Sequence, residues 1–202
     1  MNTINRFFGM LLILAVLLAG FSWSASVTGT SLAETTGSTL YVKPDTAGVT
    51  CADWENACGL QTALGLAEDG DEIWVAEGVH YPGTASDPRT VTFQLESGVE
   101  IYGGFAGTET QRDERDWVAH PTLLSGDIDR DGLLDDGNAY RVVTAMALTS
   151  TTTLDGVVIT GGYNNQVSHP PQWGGGMYII DSFVTLRNVI LINNFAMAGG
   201  GM

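Results

Sequence analysis

The sequence predicts an all-β fold, a coil of parallel strands stacked in short turns, on three observations. Strand-like stretches rich in Val, Ile, Leu and Thr follow one another from residue 72 onward with no helix between them. A Gly-Gly-Gly-Met motif at 174–177 recurs at 199–202, a period of 25 residues, and periods of that size mark solenoids. Glycine is abundant, 26 of 202 residues, while charged residues are only 15%, which fits many turns around a packed core rather than disorder.

The N-terminus carries Arg6, an apolar run from Phe7 to Phe21, and small residues ending in Ser31-Leu32-Ala33. That charged, apolar, small-x-small order is the pattern of a secretory signal peptide, so residues 1–33 are expected to be removed on export. The run of about 15 residues at ~1.5 Å each falls short of the ~30 Å hydrocarbon core. No transmembrane helix is expected after cleavage; an uncleaved anchor is the alternative. The remaining chain has seven basic and 23 acidic residues, a net charge of −16, with Lys43 its single lysine. Such a surface repels nucleic acid and anionic headgroups and excludes nucleic-acid binding.

After the signal, Leu40-Tyr41-Val42 reads as a short strand. Cys51 and Cys58, the only cysteines, are expected to form a local disulfide in an oxidising compartment; a metal pair would need a second Cys or His pair nearby. Leu60, Ala63, Leu64 and Ala67 lie at i, i+3, i+4 and i+7, one stripe of a short helix that Asp69-Gly70-Asp71 stops. Strands are then expected at 72–76, 90–95, 99–102, 122–125, 140–144, 154–160, 177–180 and 183–192. The alternation of Val91, Phe93 and Leu95 is the clearest period-2 signal. For Trp74, between Ile73 and Val75, alternation turns the ring away from its apolar neighbours, under the helix.

The repeat has a second offset. Leu154 to Gly162 parallels Leu186 to Asn194 at 32 residues, which equals one 25-residue turn plus about seven inserted residues, expected between Asn164 and Trp173. Inward aliphatic side chains would stack in columns ~4.8 Å apart. Glycines and Asn193-Asn194 would form the corners, where positive φ is needed.

The runs Gly70 to Tyr81, Ile101-Tyr102-Gly103-Gly104-Phe105 and Leu124-Ser125-Gly126-Asp127 resemble the start of bacterial extracellular right-handed parallel β-helix proteins of the pectin-lyase-like superfamily. The Gly-Gly-Gly-Met repeats are similar to those of polymorphic outer membrane proteins, with Met177 and Met202 after the glycines and Leu191-x-x-Asn194 where that family has Phe-x-x-Asn. The resemblance covers about residues 40–202 and implies a right-handed parallel β-helix. It further implies that the N-terminal segment caps the first turn, so that 34–67 holds the strand, disulfide loop and capping helix and 68–202 the β-helix. Because the chain stops inside a repeat motif, further turns beyond residue 202 are expected.

Asp127-x-Asp129-x-Asp131-Gly132-Leu133-x-Asp135-Asp136 matches the first part of a calcium loop, with the Leu133 carbonyl at the backbone position. Asn138 stands where an EF-hand has its bidentate Glu, and strands flank the loop. Close carboxylates repel one another without a cation, so structural Ca²⁺ is the expected cofactor; a solvated acidic loop is the alternative. Arg141, Asp155 and Asp181 are the few residues that fit polysaccharide cleavage; Asp155 and Asp181 read more simply as turn or surface positions. His80, His120 and His169 lack metal spacing and read as surface or turn residues. Trp54, Trp74, Trp117 and Trp173 offer sugar-stacking faces, and Trp173 in the inserted loop is the best of them for ligand contact. The function these features lead us to expect is an extracellular or cell-surface scaffold or adhesive stalk, non-enzymatic, meeting surface glycans or other cell-surface proteins. A carbohydrate-active enzyme and a carbohydrate-binding module are the alternatives.

Overall fold

Inward aliphatic and outward polar or aromatic residues alternate along the first strand, and that alternation starts the architecture. The computed structural model describes residues 37–83, 88–166 and 173–202. The expected signal peptide and the Pro170-Pro171 stretch lie outside the described residues. Strand β1 (Thr39–Val42) buries Leu40 and Val42 and turns Tyr41 outward. Its backbone edge is met by both cysteines: Tyr41 N donates to Cys51 O at 2.8 Å and Cys58 N to Tyr41 O at 3.0 Å. The Cys51–Cys58 disulfide ties these two points together. Covering the edge of an end strand in this way blocks further pairing there.

Helix α1 (Leu60–Leu66) buries Leu60, Ala63 and Leu64, the stripe its spacing requires. Thereafter come β2 (Glu72–Ala76), β3 (Gly78–His80), β4 (Phe93–Gln94), β5 (Glu100–Phe105), β6 (Thr122–Ser125), β7 (Val143–Met146) and β8 (Thr152–Asp155). They are followed by β9 (Val157–Thr160), β10 (Tyr163–Asn164), β11 (Met177–Ile180), β12 (Val184–Arg187), β13 (Ile190–Leu191) and β14 (Phe195–Ala196). The described chain is thus all-β with one α-helix, and every strand pairing is parallel.

The strands sort into sheets ordered β1-β2-β5-β8-β12, β3-β6-β9-β13 and β4-β7-β11, with a short β10-β14 pair. From β2 onward the chain visits these sheets in a fixed cyclic order. Register then stacks like on like: Leu40, Ile73, Ile101, Leu154 and Leu186 are successive Cα partners across the first sheet. A second column runs from His80 through Leu124 and Ile159 to Leu191, and a third joins Phe93, Val143 and Met177. All of these except the last residues of the first two columns are buried.

Two expected strands are each divided. The stretch 154–160 breaks into β8 and β9 at Gly156, φ 76°, and the stretch 183–192 breaks into β12 and β13 at Asn188, φ 48°. A residue in the left-handed region ends strand pairing and swings the chain to the next sheet, and apolar patterning carries no sign of it. A Cβ at position 156 would stand 2.9 Å from the Gly103 carbonyl, so that corner needs glycine on steric grounds as well. Residues 90–92 also depart from expectation, since a 3₁₀ turn at Pro88–Thr90 precedes a strand of only two residues.

Leu154→Ala, at a fully buried site in the middle of its column, is expected to lower stability by about 2–5 kcal/mol; Leu186→Ala, at the partly covered end, is expected to cost clearly less. Urea unfolding of both variants, read by the shift in midpoint, measures the difference.

Candidate functional site

The acidic loop leaves β6 at Gly126 and returns at Ala139, whose N donates to Gly126 O at 2.7 Å. Within it, Asp127 accepts from the backbone N of Asp131 and Gly132, and Asp131 accepts from the N of Leu133. These bonds curl the segment so that one carboxylate oxygen from each of Asp127, Asp129 and Asp131 lies within 4.8 Å of the others. Loss of hydration, a hydrogen bond with Asp127 and the charges of Asp131 and Asp127 hold the Asp129 carboxyl above its ordinary value. Gly137 packs so closely on Asp129 that a Cβ there would sit 1.9 Å from its Oδ2.

The loop's other expected ligands, Leu133, Asp135 and Asp136, make bonds of their own. Asp135 accepts from Gly137 N at 2.8 Å. Asp136 pairs with Arg89 at 2.9 Å and accepts from Asn165 at 2.6 Å. Leu133 is exposed and contributes its N–H to Asp131. Asn138, in place of the EF-hand carboxylate, is fully buried: Oδ1 accepts from Asp135 N and Nδ2 donates to Gly161 O. Among the described residues the metal-competent group is therefore the Asp127, Asp129 and Asp131 trio.

Two arginines, one outside this loop and one within it, tie it to other segments. Arg89 donates to Asn138 O, Tyr163 O and Asn165 while lying 4.2 Å over the Tyr140 ring. Arg130, in the turn between two of the aspartates, reaches Asp45 at 3.0 Å and stacks 4.2 Å over Tyr81. Neither partnership is legible along the chain, because the partners are 47 and 85 positions away.

On the outer face of the first sheet, Tyr41, Trp74, Tyr102 and Asp155 follow one another in register. Trp74 is buried there, stacked 4.8 Å from Phe105 and flanked by Tyr41 and Trp54. The cover over this face is the disulfide loop with Trp54, whose Nε1 donates to Glu109 O, and not the helix expected from the sequence. Residues 106–121 fold across the same face. From them Arg112 bonds Glu72 at 2.6 Å and lies 3.7 Å from Glu100. Burial, followed by the hydrogen bond to Glu100, pushes the Tyr102 hydroxyl up to about 12.

Asp155 is likewise not the surface residue expected. It is 5% exposed, bonded to Arg115 at 2.8 Å and to Asn188 Nδ2 at 2.8 Å. Arg115 also donates to Gly103 O and lies between the Tyr102 and Trp117 rings. His80, expected at the surface, is 3% exposed because it points into the core from β3. Asp181 does sit in an exposed turn, φ 47°. Trp173 is 52% exposed, while its carbonyl is fixed by Arg141 Nε at 3.0 Å and Asn164 Nδ2 at 3.2 Å. Asn164 pairs with Ala196 and Trp173 bridges to Ala198, so nine positions on one pass stand against two on the next.

Compared with protein-family models, curated proteins and solved structures, the chain matches none. The geometry alone therefore bears on function.

Arg115 and Asp155 form an ion pair almost closed to water, so Asp155→Ala leaves a buried guanidinium without its partner. The expected loss is about 3–5 kcal/mol, against a fraction of that for Asp136→Ala, whose carboxylate is exposed. Thermal melts of the two variants at neutral pH measure the contrast.

Proposed function

We propose that this chain is an exported, non-enzymatic scaffold of the cell surface or extracellular space, folded as a right-handed parallel β-helix with residues 34–67 as its N-terminal cap. On this reading it is similar to the pectin-lyase-like and polymorphic outer membrane repeat proteins, and its corner loops meet surface glycans or other surface proteins. The observation that carries the reading is the repeated register. Gly174 to Met177 bonds directly alongside Ala198 to Gly201, Gly156 and Gly161 are matched 32 residues later by Asn188 and Asn193, and all four corner residues have positive φ. Uniform stacking of this kind builds a stiff elongated support and leaves loop excursions to carry contacts.

The acidic loop fits the same reading. Three carboxylates on oxygen-rich backbone suit a hard cation, and Ca²⁺ takes flexible oxygen ligands. Its role would be structural: neutralising Asp127, Asp129 and Asp131 stiffens a loop that otherwise holds like charges together. An extracellular setting supplies enough Ca²⁺ for a site with a Kd of about 10⁻⁴–10⁻³ M.

A carbohydrate-active enzyme is the second reading, and the carboxylates argue against it. Acid and base groups must face an open groove, whereas Asp155 is closed under Arg115 and Glu72 and Glu100 share Arg112. Carbohydrate binding without turnover keeps one favourable feature, the exposed indole of Trp173 on a fixed backbone.

Calorimetric Ca²⁺ titration of the chain tests the cation. Saturable binding with a Kd near 1 mM is expected, and 10 mM Ca²⁺ should then add about 1.4 kcal/mol of stability. The variant with Asp127, Asp129 and Asp131 all changed to Asn should bind nothing and gain nothing. Equal heats in both proteins would remove calcium from the proposal and leave the scaffold reading without a metal.

A further inference from the structure

His80 occupies a position that the fold otherwise gives to aliphatic side chains. In register it stands in one column with Leu124, Ile159 and Leu191, and its ring is 3% exposed. Nε2 lies 2.9 Å from the Ala76 carbonyl; a carbonyl only accepts, so this nitrogen carries the proton of the neutral ring. Burial holds the imidazole below its ordinary value, against the upward pull of the Ala76 carbonyl and of Asp45.

Beside His80 is a polar hollow of about 170 Å³ whose wall includes Lys43, Asp45, Thr46, Tyr81 and Arg130. Asp45 is the one carboxylate among these residues. It is held by Arg130 at 3.0 Å, with the Asp45 side chain 65% and the Arg130 side chain 53% exposed, and ion pairs that open to water are weak. Arg130 in turn rests on Tyr81. Through these two contacts the tip of the acidic loop is attached to the N-terminal segment at Asp45 and to the chain just beyond β3.

We propose that His80 is an acid-operated release for the acidic loop: on taking a proton it draws Asp45 away from Arg130. A cation in an otherwise apolar column must be paired or hydrated, and Asp45 is the carboxylate that shares its hollow. Asp45 already favours the charged form of the His80 ring, and its bond to Arg130 stands in water, where such pairs are weak. Arg130 then loses its carboxylate, and the turn at 130 is free of the N-terminal segment. The direction follows from the depressed value of the folded state. Above pH 6.5 His80 is neutral folded or unfolded; below 6.5 the unfolded chain protonates first, so stability falls as pH drops from 6.5 toward the folded value.

The release needs no bound cation, so it can be read on the metal-free full-length chain by NMR between pH 7.5 and 5. In the parent, the Arg130 side-chain and Tyr81 ring signals are expected to move with the same midpoint as the His80 imidazole. In His80→Gln they should stay fixed over that range. In Asp45→Asn, a substitution at an exposed side chain that spares the core, His80 should titrate at lower pH and the Arg130 signals should begin at their released position. Arg130 and Tyr81 signals that stand still while His80 titrates would overturn the proposal, as would signals that move alike in His80→Gln. If His80→Gln does not fold, the Asp45→Asn titration decides: an unchanged His80 midpoint there sinks the idea.

Discussion

Parallel pairing of short strands sets each residue beside its register partner on the neighbouring strand, and much of this molecule follows from that one constraint. Backbone bonds fix a spacing of ~4.8 Å between neighbouring strands, so an inward side chain within a sheet has register partners on both sides. Leu40, Ile73, Ile101, Leu154 and Leu186 satisfy the rule with aliphatic side chains of similar size. Close packing makes any mismatch in such a column costly. Two of the corners are matched in the same way, Gly156 with Asn188 and Gly161 with Asn193, all four at positive φ.

Extra chain can leave the stack only where pairing stops. Residues 106–121 depart after β5 and the acidic loop after β6. Each excursion is then fastened by arginine. Arg112 and Arg115 bind the carboxylates of the first sheet's outer face, Arg89 gathers Asn138, Tyr163 and Asn165, and Arg130 reaches Asp45. With 8 basic residues against 23 acidic ones in the chain, these arginines are placed where several segments must be joined. The planar guanidinium suits the task because it forms several directed bonds while stacking on an aromatic ring. Arg89 on Tyr140 and Arg115 between Tyr102 and Trp117 do both.

The acidic loop differs from the other excursions in holding charges of one sign together. Asp127 and Asp131 accept backbone N–H donors, and the Asp129 carboxyl is raised by loss of hydration, then by its hydrogen bond with Asp127 and the charges of Asp131 and Asp127. The loop is thus shaped by its own turns before any cation is considered. Asp135 and Asp136, a few positions further on, are bonded to Gly137 N and to Arg89.

By itself the sequence determined the strand-rich class, the short helix from its i, i+3, i+4, i+7 stripe, the pairing of two nearby cysteines, and the site of the insertion before Trp173. These are local or periodic properties, so side-chain order along the chain is enough to reveal them. It also pointed to Asp127, Asp129 and Asp131, within a wider set that ran through Leu133 to Asp136, because close spacing along one loop is itself part of the geometry. Only the tertiary structure decided which residues meet across passes. Gly156 and Asn188 divide strands that look continuous, His80 takes an inward place among aliphatic residues, and Asp155 is closed under Arg115, a residue 40 positions away. Those outcomes depend on how many residues each pass contains, and the variable loops change that number from one pass to the next. Spacing along the chain therefore cannot foretell the contacts that stacking creates.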